Sequence, residues 1–249
     1  MIMLYFSGTG NSKYIAEQFC RYMNAACYSI EEKIDFTPEI AAEDTVGFCY
    51  PIYGSRVPRI MREFAIKHME SLKGKKLIIF CTQLIFSGDG ARVFTDIFPR
   101  GYVKVIYAEH FPMPNNVCNM FFLPLPDEVK IQKYIENADR KIQTVVNAIR
   151  NGKIKKRGFN PISRILGLFQ GSFMPWLERK SLSKVWIDKS CGKCLVCVSV
   201  CPMHNFKYDN EEITTNNNCT MCYRCINQCP KKAIAVFLRG KVKKQYRGV

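Results

Sequence analysis

Short, nearly continuous apolar runs recur along the first half of the chain, at 1–6 (MIMLYF), 45–50 (TVGFCY), 76–81 (KLIIFC) and 102–108 (YVKVIYA), with a shorter one at 26–30. Runs of this length without polar alternation suit strands buried on both faces of a parallel sheet. Between them the apolar positions switch to helical spacing. Tyr14, Ile15, Phe19 and Tyr22 follow the first run, 58–69 the third and 91–98 the fourth. A longer amphipathic stretch, 127–150, opens on an Asp-Glu turn and stops before Asn151-Gly152. Strands alternating with helices predict an α/β unit over 1–151, a doubly wound five-stranded parallel sheet. In such sheets ligands bind beyond the carboxyl ends of the strands.

The periodicity breaks at 152–184. This segment holds KIKKR (153–157) and then FNPISRILGLFQGSFMPW (159–176), punctuated by Gly158, Pro161, Gly167, Gly171 and Pro175. Two readings fit it: a linker packed on both neighbours with solvated lysines, or a helix lying on a lipid surface. A small cysteine-rich α+β unit occupies 185–240, and the basic end 241–249 reads as a mobile tail.

The cysteines carry the clearest chemistry. CGKCLVCVSVCP spans Cys191–Pro202 and CTMCYRCINQCP spans Cys219–Pro230, so four thiols closed by proline appear twice. The first three thiols of a run wrap three corners of a small cube, and the proline turns the chain so that the fourth suits the other cube. This assigns Cys191, Cys194, Cys197 and Cys229 to one [4Fe–4S] cluster, and Cys219, Cys222, Cys225 and Cys201 to a second. Structural zinc shares the CxxC spacing, but its sites usually pair two short units without crowded third and fourth thiols. Residues 185–238 resemble the bacterial two-cluster ferredoxins.

The loop after the first strand, Ser7-Gly8-Thr9-Gly10-Asn11-Ser12, precedes a helix. Backbone N–H groups, hydroxyls and the helix dipole converge there on an anion. The loop is neither a Walker A motif nor GxGxxG. Through Ser7, Thr9, Gly10 and Ser12 it resembles the phosphate loop of flavodoxins. That resemblance covers about 1–150 and implies FMN, with the phosphate on Ser7–Ser12. The ring would lie between Pro51-Ile52-Tyr53-Gly54 and the third loop, represented by Thr82, Gln83, Phe86, Ser87, Gly88, Asp89 and Gly90. Tyr53 and Phe86 are candidates to stack on the flavin, with ordinary packing as the alternative. His110–Asn116 lies on the same side. The layout, including a Met-Pro-x-Asn stretch at that place, resembles flavodoxin–ferredoxin fusions; its role does not follow from the residues.

The other five cysteines stand singly among apolar residues and read as small buried hydrophobes, not a disulfide framework. No basic leader precedes the first apolar run and no uninterrupted apolar stretch is long enough to span a bilayer, so a cytoplasmic protein is expected. Residues 1–150 carry eighteen Lys and Arg against sixteen Asp and Glu, whereas 151–249 carry nineteen against five. Two oxidised clusters at −2 each would leave an excess of about +10 in the second half. The excess suggests an acidic redox partner such as a ferredoxin, or peripheral contact with anionic lipid; nothing reads as a nucleic-acid module. Lys189, Lys193, Arg224, Lys231 and Lys232 are the candidate docking residues. The function expected is single-electron transfer between two [4Fe–4S] clusters and FMN, linking a ferredoxin-type donor to a partner. The alternative is an FMN-dependent reductase of a small acceptor such as a quinone or nitro compound.

Overall fold

The computed structural model describes residues 1–86, 88–120, 123–237 and 242–249. Its first half runs β1 (Ile2–Tyr5), α1 (Asn11–Met23), β2 (Ala26–Ser29), α2 (Phe36–Ala41), β3 (Thr45–Pro51), α3 (Arg59–Lys67), α4 (Met69–Leu72), β4 (Lys76–Gln83), α5 (Gly90–Thr95), β5 (Lys104–Pro112) and α6 (Glu128–Arg150). The strands pair in the parallel order β2-β1-β3-β4-β5. Both faces are covered, which is why the strands read as continuous apolar runs. Ile2, Leu4, Phe48, Tyr50 and Ile79 pack with Phe36, Met61 and Phe94 from one helical layer. Met3, Cys49, Ile78 and Phe80 pack with Phe19 of α1 and Ile142 of α6 on the other. Cys20, Cys49 and Cys81 are buried in these layers, and burial pushes the Cys49 and Cys81 thiols up, so they pack as neutral hydrophobes.

A sixth strand, β6 (Lys155–Lys156), joins the sheet beside β5, where five were expected. The cause is electrostatic. Glu109 is 1% exposed, and Lys155, Lys141 and Arg157 approach it at 2.7, 3.1 and 3.6 Å. Burial alone would raise the Glu109 carboxyl, but the bonds from Lys155, the His110 N–H and Lys141 outweigh it and hold the group below its ordinary value. Part of the KIKKR run is therefore drawn to a buried anion, with the Lys155 and Arg157 side chains left half exposed.

The segment beyond forms two helices, α7 (Pro161–Gly171) and α8 (Met174–Ser183). The Asn160 side chain accepts from the Ser163 N–H, capping α7, and Pro161 sits in its first turn. The cysteine-rich unit follows as β7 (Val185–Ile187), α9 (Val196–Val200), the hairpin β8 (Phe206–Asp209) and β9 (Glu212–Thr215), α10 (Arg224–Gln228) and β10 (Ile234–Val236), with β10 antiparallel to β7. Residues 242–249 are no free tail: Val242 and Tyr246 are each 3% exposed. Among the described residues no helix is long and apolar enough to cross a membrane.

Candidate flavin and cluster sites

The strands of the large sheet end on one cavity of about 680 Å³. Ser7, Gly8, Thr9, Asn11 and Ser12 form its first wall, Pro51, Ile52, Tyr53 and Gly54 its second, and Thr82, Gln83 and Phe86 its third. Gly10 lies outside the wall as the N-cap of α1. Gly88 packs on Gly167 of α7, Asp89 pairs with Arg92 at 2.8 Å, and Gly90 opens α5; none of the three lines the cavity. Ser87 lies outside the described residues.

Polar bonds prearrange the first wall. Ser7 Oγ accepts from the Gly10 N–H at 3.1 Å, and the Ser12 and Thr82 hydroxyls share a bond of 2.7 Å. The stretch after β5 is a fourth wall: Asn116 Nδ2 donates to Thr9 Oγ1 at 3.0 Å and Asn11 Nδ2 donates to the Pro114 carbonyl at 2.8 Å. Here the His110–Asn116 stretch acquires a role, as a brace for the first loop. Tyr246 from the C-terminal residues completes the brace, its hydroxyl donating to Asn11 Oδ1 at 2.6 Å. The sequence marks the His110–Asn116 stretch but not its role, and gives no sign of Tyr246, because these bonds connect distant parts of the chain.

The cysteine-rich unit supplies part of the same cavity. Met221 and Tyr223 line it, and Cys222 between them packs into the core of the first unit. Gly8 lies so close to Cys222 that a Cβ on it would collide with the Cys222 carbonyl. Arg224 holds the junction. It donates to the Ser7 carbonyl at 2.6 Å, the Gly8 carbonyl at 3.1 Å and both Glu31 carboxylate oxygens at 2.6 Å. Arg224 is therefore taken up inside the molecule instead of offering its charge to a partner, because the Ser7-Gly8 loop, Glu31 and the Val200 carbonyl at 3.0 Å all present acceptors to it.

Each thiol run folds the same way. Left-handed residues recur 28 positions apart, at Lys193 and Met221, at Leu195 and Tyr223, and at His204 and Lys232. A left-handed residue next to a thiol lets close neighbours in sequence turn toward one centre, at a local conformational cost. Cys191, Cys194, Cys197 and Cys229 line one small cavity together. Cys201 lies instead near Cys219, Cys222 and Cys225, close enough to raise their thiols.

The donor sets fit the groups implied. Burial, reinforced by neighbouring thiols, pushes Cys222 up to about 12 and Cys219 and Cys197 up to about 11. A cationic iron core reverses that penalty by binding thiolates. The Tyr53 and Thr220 hydroxyls are buried without a hydrogen-bond partner among the described residues, and Cys222 and Cys219 are among the groups that perturb Tyr53. Buried orphan hydroxyls beside thiols suit a sulfur-rich acceptor. For FMN, the first loop offers hydroxyls and N–H groups at a helix N-terminus, above walls that are mainly apolar.

A flavodoxin-domain family model matches residues 2–166, and a 4Fe–4S dicluster-domain model matches 184–241. A ferredoxin of Methanothermococcus thermolithotrophicus is 36% identical over 52 residues, covering 20% of this chain and 87% of that protein. An archaeal-type glutamate synthase [NADPH] of Dehalococcoides mccartyi is 38% identical over 53 residues; the match covers 20% of this chain and only 11% of that protein. Among solved structures, the two-electron-reduced flavodoxin of Megasphaera elsdenii is 22% identical, covering 57% of this chain and 99% of that one, with a TM-score of 0.37. The chain belongs to the flavodoxin family and carries a ferredoxin-type 4Fe–4S dicluster domain; it is a flavodoxin–ferredoxin fusion, an electron-transfer protein of FMN and iron–sulfur clusters.

Proposed function

We propose that the chain passes single electrons from an acidic, ferredoxin-type donor through two [4Fe–4S] clusters to FMN, and onward to a partner. One observation carries this reading. Cys222 packs against the Gly8 loop while its neighbours Met221 and Tyr223 line the flavin cavity. The Cys201, Cys219, Cys222 and Cys225 site is then the inner one, and the Cys191, Cys194, Cys197 and Cys229 site the outer.

Bound clusters exchange one electron at a time, and bound FMN one or two. The chain's contribution is order and access. Arg224 and Gly8 hold the inner thiols against the cavity wall. Cys194 of the outer site is exposed, with exposed Lys189, Lys193 and Lys231 around that end. This charge suits an acidic donor. Lys232 is already engaged at the surface, donating to the Lys243 carbonyl at 2.9 Å.

A second reading, direct reduction of a quinone or nitro compound, is favoured by the apolar mouth of the cavity, where Ile85 and Phe86 are exposed.

Anaerobically purified protein is expected to hold about eight iron, eight acid-labile sulfides and one FMN per chain, as two cubanes and a flavin require. In stopped flow with a reduced acidic ferredoxin, the association rate should fall steeply with ionic strength and fall further in the Lys189→Gln, Lys193→Gln, Lys231→Gln variant. A rate indifferent to both salt and variant overturns the acidic donor; zinc without sulfide overturns the cluster assignment.

A further inference from the structure

Helix α7 is built inside out. Ile162, Ile165, Leu166, Phe169 and Phe173 follow the spacing that normally marks the core face of a helix. In the structure they point outward and are 43–76% exposed. The inner face is Gly167 and Gly171, one turn apart. A Cβ on Gly167 would collide with the Asp89 carboxylate, and one on Gly171 would press on the Arg56 guanidinium. The glycines let α7 lie flat on the first unit, and the large side chains are left to something outside the chain. Trp176 at the start of α8 extends the stripe, 54% exposed.

The charge around the stripe narrows what that is. Residues 152–184 hold eight Lys and Arg and one acid, Glu178, which is held by Arg62 at 2.8 Å. Arg164 on α7 and Arg179 and Lys180 on α8 are exposed, and Lys180 lies over the Trp176 ring at 5.6 Å. An apolar stripe with cations along its flanks and a half-exposed tryptophan is the make-up of a helix that lies in the headgroup layer of an anionic bilayer. Apolar side chains enter the acyl boundary while the cations stay with the phosphates. Helix α7 has eleven residues and meets the protein through Gly167, Gln170 and Gly171, so it is suited to lying on a bilayer, not crossing it.

We propose that α7 and the first turn of α8 form a membrane-docking surface for anionic phospholipid. The inference goes beyond the electron-transfer reading and does not depend on it. Gln170, Met174, Trp176 and Leu177 line the flavin cavity as well. A bilayer on this face therefore lies across the cavity mouth and leaves the lysine-bearing outer cluster site to a soluble donor.

The test uses the full-length protein with its cofactors and two sets of vesicles, phosphatidylcholine alone and phosphatidylcholine mixed with phosphatidylglycerol. The protein should sediment with the mixed vesicles and much less with the neutral ones. The tryptophan emission should shift to the blue on binding, and the shift should vanish in Trp176→Phe, which retains Trp186. Phe169→Ser should weaken vesicle partition about tenfold, the scale of one buried aromatic side chain. Arg164→Gln with Arg179→Gln should weaken it by about fivefold per cation. This charge variant alters exposed residues only and serves if Phe169→Ser misfolds. Failure to bind anionic vesicles, or binding unmoved by both variants, overturns the proposal. So does a concentration-dependent dimer in ultracentrifugation that Phe169→Ser abolishes, which would assign the face to a second copy of the chain.

Discussion

Gly8 of the flavin loop and Cys222 of the second thiol run stand backbone to backbone, with no room for a side chain between them. The obstructing group is a carbonyl, which cannot swing away as a flexible side chain can. In Gly8→Ala either the loop or the cysteine-rich unit must move. The expected cost is about 2 kcal/mol, the scale of an overpacked site, with weakened FMN retention. A flavin dissociation constant measured by fluorescence checks this. Unchanged retention and unchanged stability would mean that the two units are not docked as described.

Tyr53 offers a handle on the inner site. Its hydroxyl is buried without a partner among the described residues, and the Cys222 and Cys219 thiols help to push it well above its ordinary value, after burial itself. A hydrogen bond to thiolate sulfur favours the more negative, reduced state. Tyr53→Phe should therefore lower the inner cluster's potential by on the order of 60 mV, equivalent to a tenfold shift for one electron. An EPR-monitored redox titration reads the shift directly. An unmoved potential would place the hydroxyl's role at the flavin instead.

Cross-ligation predicts which signal a single mutation removes. Cys201 lies near Cys219, Cys222 and Cys225, although its sequence neighbours belong to the other run. Cys201→Ala should therefore damage the inner cluster and spare the outer one. Cys229→Ala should do the reverse, because Cys229 shares a cavity with Cys191, Cys194 and Cys197. Cluster-resolved EPR of the two variants distinguishes this exchange from the pairing in which each run serves its own cluster.

Acid sensitivity should begin at His110. Burial, with Arg157 and Lys141 nearby, lowers this imidazole to about 4 against an ordinary 6.5, despite adjacent Glu109. The unfolded chain then takes up a proton that the folded chain refuses. Stability is unaffected above about 6.5 and falls as the pH drops toward 4, by up to about 3 kcal/mol. Glu109, whose carboxyl is lowered, adds its own loss only in the more acidic carboxylate range. His110→Gln should flatten the first slope. Thermal midpoints of flavin release across this interval, compared with wild type, carry the test.

The sequence by itself determined the local features. Apolar runs at 1–6, 45–50 and 76–81 specify strands covered on both faces, because every residue of such a run must be buried. The Ser7–Ser12 loop and the twice-written thiol run are legible because a few adjacent residues carry their chemistry. Tertiary structure decided how these pieces meet. Arg224 reads as a surface cation until the Ser7 and Gly8 carbonyls and Glu31 are brought to it. Asn116, Pro114 and Tyr246 become braces of the flavin loop only through bonds to distant residues. The spacing from Ile162 to Phe173 marks an apolar face, but helical periodicity does not say which way that face points. The contacts of Gly167 and Gly171 turn it outward. Periodicity and spacing are short-range properties of the chain, whereas the junction that orders the two thiol sites and the cavity rests on steric fit between residues far apart in sequence.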